Sequence, residues 1–342
     1  MWGEVSVASL IKLKLSMLGS IALVIGVTTL IISAILSLFF YGVDAVTLLT
    51  FILIFVVGIH FIQWLISPWI IEALYKVKPV SSTGDLWVAE MVERVAKASG
   101  LKKVPKAMIS YLGIPNAFAY GNFLSGYKVA VTRGLIENLP REEVEAVVAH
   151  EIGHIKHRDV EVMMIISILP ALIYWLGRIL MYSGFFSSGR SRDSRSTPVL
   201  AFLVGMVLII ISFLSNLIVL YISRLREYYA DSNSVLTLSE GGRNLQRALA
   251  RILVMSGAVS RSRARDISSA TKLKALLISD PELGIGSIRT YDIDEVVEWI
   301  KSQKKISPLE IFSTHPDPAK RLRFIDRLEQ ETTKTKYTLL RV

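Results

Sequence analysis

The stretch AVVAHEIGHIKH (146–157) decides how the rest of the chain is read. His150 and His154 are four residues apart, and on a helix that spacing projects both rings from one face, where they can chelate a single ion. Neutral imidazole is a good zinc ligand at about 2.0–2.1 Å. Glu151 is turned about 100° from His150 and need not bind the metal. It can lie beside a fourth coordination position and take a proton from bound water. With five His and 18 Glu in 342 residues, chance produces this H-E-x-x-H pattern in roughly four chains per thousand. The alternative is a pair of packed core histidines with a glutamate between them.

A catalytic zinc keeps three protein ligands and an open position, so a third donor is needed. SRLREYYAD (223–231) offers Glu227, on a helix leaving an apolar run and hence near the same membrane surface as His150 and His154. Asp231 lies one helical turn later, placed to accept a proton from a ligand imidazole. Alone, two carboxylates four apart on a helix are ordinary surface residues. The chain has no cysteine, which rules out disulfides, thiol catalysis, cysteine-ligated zinc and iron–sulfur clusters.

The composition points to lipid. Hydrophobic residues make up 52% of the chain and charged residues 20%, against about 45–50% and about 25% in soluble domains. The net charge of +10 fits basic cytoplasmic parts of a membrane protein. No basic helix face or aromatic platform suggests nucleic acid. Residues 15–43 and 45–71 carry no charge and are interrupted only by Asp44, so each is long enough to span about 30 Å of hydrocarbon. The first is too long for the apolar core of a signal peptide. Two more apolar runs, Val162–Tyr182 and Thr197–Ser223, bracket the polar loop 183–197. The third contains Arg178, which can snorkel if it sits near a helix end. His60, alone in its span, reads as a helix–helix polar contact. Lys12, Lys14, Lys76 and Lys78 place the N-terminus and everything after residue 72 in the cytoplasm, although Arg190, Arg192 and Arg195 then lie on the opposite side.

The remainder is soluble in character. A helix is expected after SSTGD (81–85), ending at Gly100. Strands follow at Lys106–Ser110, Ala117–Tyr120 and Tyr127–Thr132. Then comes the motif helix, with Pro140 in its first turn, running straight toward the third apolar run. The stretch 256–269 reads as a flexible basic linker.

HEIGHIKHRD and SRLREYYAD, in this order around a hydrophobic hairpin, together with NAFAYG (116–121) and THPDPAKRL (314–322), closely resemble the HtpX-type membrane zinc endopeptidases of the M48 class. The resemblance spans nearly the whole chain. It implies a mainly α fold with a small β-sheet, four hydrophobic helices and a gluzincin-like protease domain. It also implies one zinc per chain on His150, His154 and Glu227, Glu151 as general base, and Asp231 behind a ligand imidazole. Asp159 reads as structural and His157 as a surface side chain. Asn116, Ala117, Phe118 and Ala119 would form a strand edge that holds an extended peptide by its main chain. His315 and Arg321 are candidates for stabilising the oxyanion or gripping the peptide.

The expected organisation is two membrane helices in 1–72, a first protease part in 73–159, a membrane hairpin in 160–222 and a second protease part in 223–342. The expected activity is cleavage of misfolded or damaged membrane proteins at the cytoplasmic face of the cell membrane. The partners are then protein substrates and the lipid bilayer, with no nucleic acid. A prenyl-protein (CAAX) processing peptidase shares the core motifs but has more membrane spans. A non-catalytic membrane adaptor or transporter using His60 and Arg178 is the reading of a different class.

Overall fold

The computed structural model describes residues 45–187, 196–262, 292–303 and 308–339. The first hydrophobic run (15–43) and most of the 183–197 loop lie outside the described residues. The chain divides into two compact units, Met1–Phe55 and Val56–Val342, and the second carries everything below except the first turns of α1.

Helix α1 (Ala45–Leu74) comes from the second hydrophobic run. It leads into strand β1 (Val77–Pro79), a short 3-10 turn, helix α2 (Leu86–Ala98) and strand β2 (Lys106–Ser110). Strands β3 (Ala117–Asn122) and β4 (Gly126–Thr132) form a hairpin, and helix α3 (Arg133–Asn138) follows. The sheet order is β1-β2-β4-β3. The outer pairs are antiparallel, whereas β2 and β4 run parallel from Lys106↔Lys128 to Ser110↔Thr132. That leaves β3 on an edge.

The motif helix, α4 (Arg141–Lys156), starts one residue later than expected, with Pro140 as its N-cap. It is buried nearly all round rather than on one stripe, as befits a central helix. Val88, Val92 and Val95 of α2 pack on it together with Leu245, Leu249 and Ile252 of α7 (Gly241–Ser262). Leu322 and Ile325 of α9 (Pro318–Leu339) complete this core, and Val296, Val297 and Ile300 of α8 (Ile293–Ser302) cover the outside. Each such side chain contributes about 1.5–3 kcal/mol on burial, so α4 is fixed tightly.

Helix α4 does not run straight into the third apolar run. Arg158 adopts a left-handed φ of 54° and breaks the helix, and a new one, α5 (Asp159–Ser187), begins at the next residue. Helix α6 (Ser196–Thr237) carries the fourth apolar run and continues unbroken into the polar domain. Helices α5 and α6 meet at glycines: a Cβ on Gly205 would lie 2.5 Å from the Gly177 carbonyl oxygen. Three described helices, within Ile54–Leu74, Asp159–Ser183 and Val199–Thr237, are long and apolar enough to cross a membrane.

Several local expectations change. Arg178 stacks on the rings of Tyr174 and Tyr182 and donates to the Tyr182 hydroxyl. Among the described residues His60 bonds within its own helix, Nδ1 lying 2.8 Å from the Val56 carbonyl oxygen; the first hydrophobic run, one partner for the expected helix–helix contact, lies outside them. The supposed linker is helical as far as Ser262, because α7 is already nucleated and anchored and each added residue gains a hydrogen bond. Residues 263–269 lie outside the described part.

Candidate active site

Helices α4 and α6 approach closely enough to share an ion because Gly153 faces Ala230. A Cβ at Gly153 would meet the Ala230 Cα at 2.8 Å. Asn233 adds a tie, donating to the Ala149 carbonyl at 2.7 Å. With the helices in this register, three donors converge. His150 Nε2 and His154 Nε2 are 3.3 Å apart, and the Glu227 oxygens lie 3.7 Å and 3.6 Å from them respectively. No other group of His, Asp or Glu among the described residues is so arranged.

The imidazole pair has the spacing of two ligands on one tetrahedral ion, and Glu227 stands slightly wider, a different oxygen against each ring. Bonds of about 2.0–2.1 Å at the tetrahedral angle put neighbouring donors about 3.3–3.4 Å apart. Glu227 Oε2 is buried and receives no hydrogen bond of good geometry, with the Arg321 guanidinium 3.3 Å away.

The faces of the two rings away from this point are each held by a carboxylate. His150 Nδ1 lies 2.9 Å from Asp231 Oδ1. His154 Nδ1 lies 2.6 Å from Asp159 Oδ2. Such bonds fix the tautomer and leave Nε2 free to bind a metal. Each carboxylate has its own arginine. Arg321 grips Asp231 through Nε at 2.9 Å and a terminal nitrogen at 2.6 Å, and Arg226 reaches Asp159 at 2.9 Å. Burial pushes the His154 pKa down, but the Asp159 hydrogen bond and the charges of Glu227, Glu151 and Asp159 outweigh it and raise the pKa to about 9.

Asp159 is therefore more than structural, and the break at Arg158 is what brings it back to His154. The sequence carries a faint signal of this, since Asp159 is five residues past His154 and Arg226 directly precedes Glu227. The Arg224 guanidinium was invisible in the sequence. One of its nitrogens donates to the carbonyls of Glu310, Ile311 and Ser313, and Ser223 donates to that of Thr314. Together they strap the segment carrying His315 against α6.

Glu151 is buried, and its Oε2 accepts from the Ala119 backbone N–H at 2.7 Å. Burial raises its pKa above the usual carboxylate value. Ala117, Phe118 and Ala119 lie on the edge strand and Asn116 immediately precedes it. The Asn116 carbonyl accepts from Thr132 N on the β4 side, so with the alternation of an antiparallel pair Ala117 and Ala119 present their main-chain groups outward. The Phe118 side chain turns into a second core with Tyr75 and Tyr120.

His315 Nε2 lies 3.5 Å from Glu227 Oε1, and burial lowers the pKa of its ring. Arg321 is only 2% exposed and its third nitrogen is 3.3 Å from Glu227 Oε2. The structure thus gives this guanidinium protein carboxylates to hold rather than a free face for substrate. His157 is exposed, beside the Tyr229 ring.

A buried and a partly buried imidazole converging with a buried carboxylate, and a further glutamate beside them, agree with what sequence comparison finds. Peptidase family M48 matches residues 82–329. The chain belongs to peptidase family M48. It is 38% identical over 318 residues to a "Protease HtpX homolog" of Aeropyrum pernix, covering 92% of this chain and 95% of that one. It is 37% identical over 325 residues to "Protease HtpX homolog 2" of Saccharolobus solfataricus, covering 94% and 98%. With the Picrophilus torridus "Protease HtpX homolog" it shares 40% identity over 293 residues, covering 84% and 88%. Among solved structures it resembles S. mikatae Ste24p at a TM-score of 0.52 and 20% identity, covering 94% of this chain and 67% of that one. This likeness concerns the fold. The M48 chain described here is a metallopeptidase of the HtpX type, with His150, His154 and Glu227 as its metal-binding group.

Proposed function

We propose that this metallopeptidase is embedded in the cell membrane and uses one zinc ion to cut misfolded or damaged membrane proteins at the cytoplasmic face. The observation that carries the reading is the convergence of His150, His154 and Glu227 on one point, with Glu151 set between them and an edge strand. A zinc ion on these three donors supplies a Lewis acid for the scissile carbonyl and makes water acidic enough to react near neutral pH.

The protein's own groups do the rest. An extended substrate adds to β3 through the outward main-chain groups of Ala117 and the Ala119 carbonyl, the Ala119 N–H being held by Glu151, and main-chain pairing makes cleavage tolerant of sequence. Asn116 and Phe118 hold that strand through its inner face. Glu151 takes a proton from the attacking water and delivers it to the amine nitrogen as the carbon–nitrogen bond breaks. His315 donates from Nε2 to the oxygen that becomes negative. Arg321 acts through Asp231 and Glu227, holding them in place, and Asp231 in turn orients His150.

In this reading 1–72 supply two membrane helices and 160–222 a membrane hairpin. The segments 73–159 and 223–342 form the protease domain, on the side marked by Lys76 and Lys78. Glu151→Gln keeps the shape of the site and removes the base. Cleavage of unfolded casein by that variant should fall to background while zinc content is unchanged. Chelator-sensitive cleavage at the wild-type rate by a clean preparation would contradict the assignment.

A further inference from the structure

The β3–β4 hairpin does not stop at the polar end of α1. Its tip lies against the middle of that apolar helix. Asn122 donates through Nδ2 to the Trp64 carbonyl at 3.0 Å, and the Phe123 and Trp64 rings are 5.1 Å apart. The polar boundary of α1 is Glu72, whose carboxylate meets Lys128 of β4 at 2.5 Å and the Tyr120 hydroxyl at 3.2 Å. From Glu72 to Trp64 is eight helical residues, about 12 Å. From Lys128 to Gly126, where the strand ends, is two strand residues, about 7 Å, and the turn 123–125 lies beyond it. Both routes put the tip on the apolar side of that ion pair.

The tip is built for a medium without water. Phe123 and Leu124 are 67% and 59% exposed, whereas Trp64 beneath them is 6% exposed. Side chains of the turn hold three of its backbone N–H groups: Asn122 Oδ1 accepts from Leu124 N at 3.1 Å and from Ser125 N at 2.7 Å. Ser125 Oγ accepts from Asn122 N at 3.3 Å. Pro68 lacks an N–H and so deprives the Trp64 carbonyl of its helical donor; the Ser67 hydroxyl and the buried Asn122 amide, each at 3.0 Å, take that place. Non-helical backbone at membrane depth is tolerated only when its polar groups are satisfied in this way. Because β2 and β4 are parallel, exposed Lys106 pairs with Lys128 at the same end of the sheet. Exposed Lys102 and Lys103 lie just before it, where they meet anionic headgroups if the tip is in lipid.

We propose that the Phe123–Leu124 tip is sunk in the acyl region of the bilayer, so that the edge strand beside Glu151 rises directly out of the membrane. The partner is the lipid itself, and a substrate segment leaving the bilayer meets β3 without first crossing bulk water. The inference rests on the membrane placement proposed above, not on the chemistry.

The chain has no native cysteine, so Phe123→Cys, Leu124→Cys and a control, Glu137→Cys on α3 beyond the opposite end of β4, can each carry one NBD label. The labelled proteins go into vesicles of phosphatidylcholine and phosphatidylglycerol. The tip labels should emit to the blue of the control, escape quenching by aqueous iodide and be quenched by mid-chain doxyl phosphatidylcholine. Tip labels that match Glu137→Cys in protein that floats with the vesicles overturn the hairpin inference alone. Failure to float overturns the membrane placement with it. Peptide cleavage plays no part in the readout, so a catalytic defect leaves it intact.

Discussion

Asp159 is the residue whose removal separates a positioned ligand from a merely present one. It holds His154 Nδ1 at 2.6 Å and is itself held by Arg226, so the His154 ring reaches the metal position in one orientation. Asp159→Asn keeps the size of the side chain but weakens this grip. Losing such a support costs about 10–100-fold in metal affinity, and competition with a fluorescent zinc chelator should show a loss in that range. Unchanged affinity would mean that the helix break at Arg158, rather than the carboxylate, sets the ring. His150 has the same construction in Asp231 and Arg321, with the difference that Arg321 also faces Glu227.

At the scale of elements, the decisive contact is α4 against α6. Gly153→Ala puts a methyl group 2.8 Å from the Ala230 Cα, and overpacking of this kind costs about 1–3 kcal/mol. The helices should part, Glu227 should move away from the imidazole pair, and zinc occupancy and Tm should fall together; a fall in Tm with full zinc would show that α6 gives elsewhere. The α7–α8 contact makes a separate prediction about acid. Arg247, bonded to both carboxylate oxygens, and Arg243 hold the Asp294 pKa down to about 2. A carboxyl group with a depressed folded pKa stabilises the fold above its ordinary value, and that stability is lost as pH falls through the folded value. The difference in Tm between wild type and Asp294→Asn should therefore shrink as pH drops from about 4 to about 2, and it should be small because Asp294 is 41% exposed. A difference that ignores pH would assign the effect to packing.

What was legible in the sequence was local. The four-residue spacing of His150 and His154, the run of apolar residues leading into SRLREYYAD, and strands β2 and β4 all follow from periodicities within one element. What depends on the register between elements was not. Arg226 meets Asp159 only because α4 breaks at a left-handed Arg158, a conformation that the residue type does not advertise. Arg224 clamps carbonyls 86 to 89 positions away, and no pattern in either segment encodes that. Strand β1, three residues ending in proline, is too short to show an alternation.

For the molecule as a whole, one continuous helix links lipid to chemistry. α6 carries the fourth apolar run, then Arg224, Arg226 and Glu227 within one turn and Asp231 in the next, so the helix that supplies the third metal ligand is itself a membrane-spanning candidate. The account stands on that ligand. Zinc content measured by mass spectrometry on purified full-length chain tests it most directly, with Glu227→Ala beside the wild type. One zinc per wild-type chain, and loss of the ion in a folded Glu227→Ala variant, is the predicted result. A full equivalent of zinc retained without Glu227, or none bound by wild type after zinc loading, would contradict it.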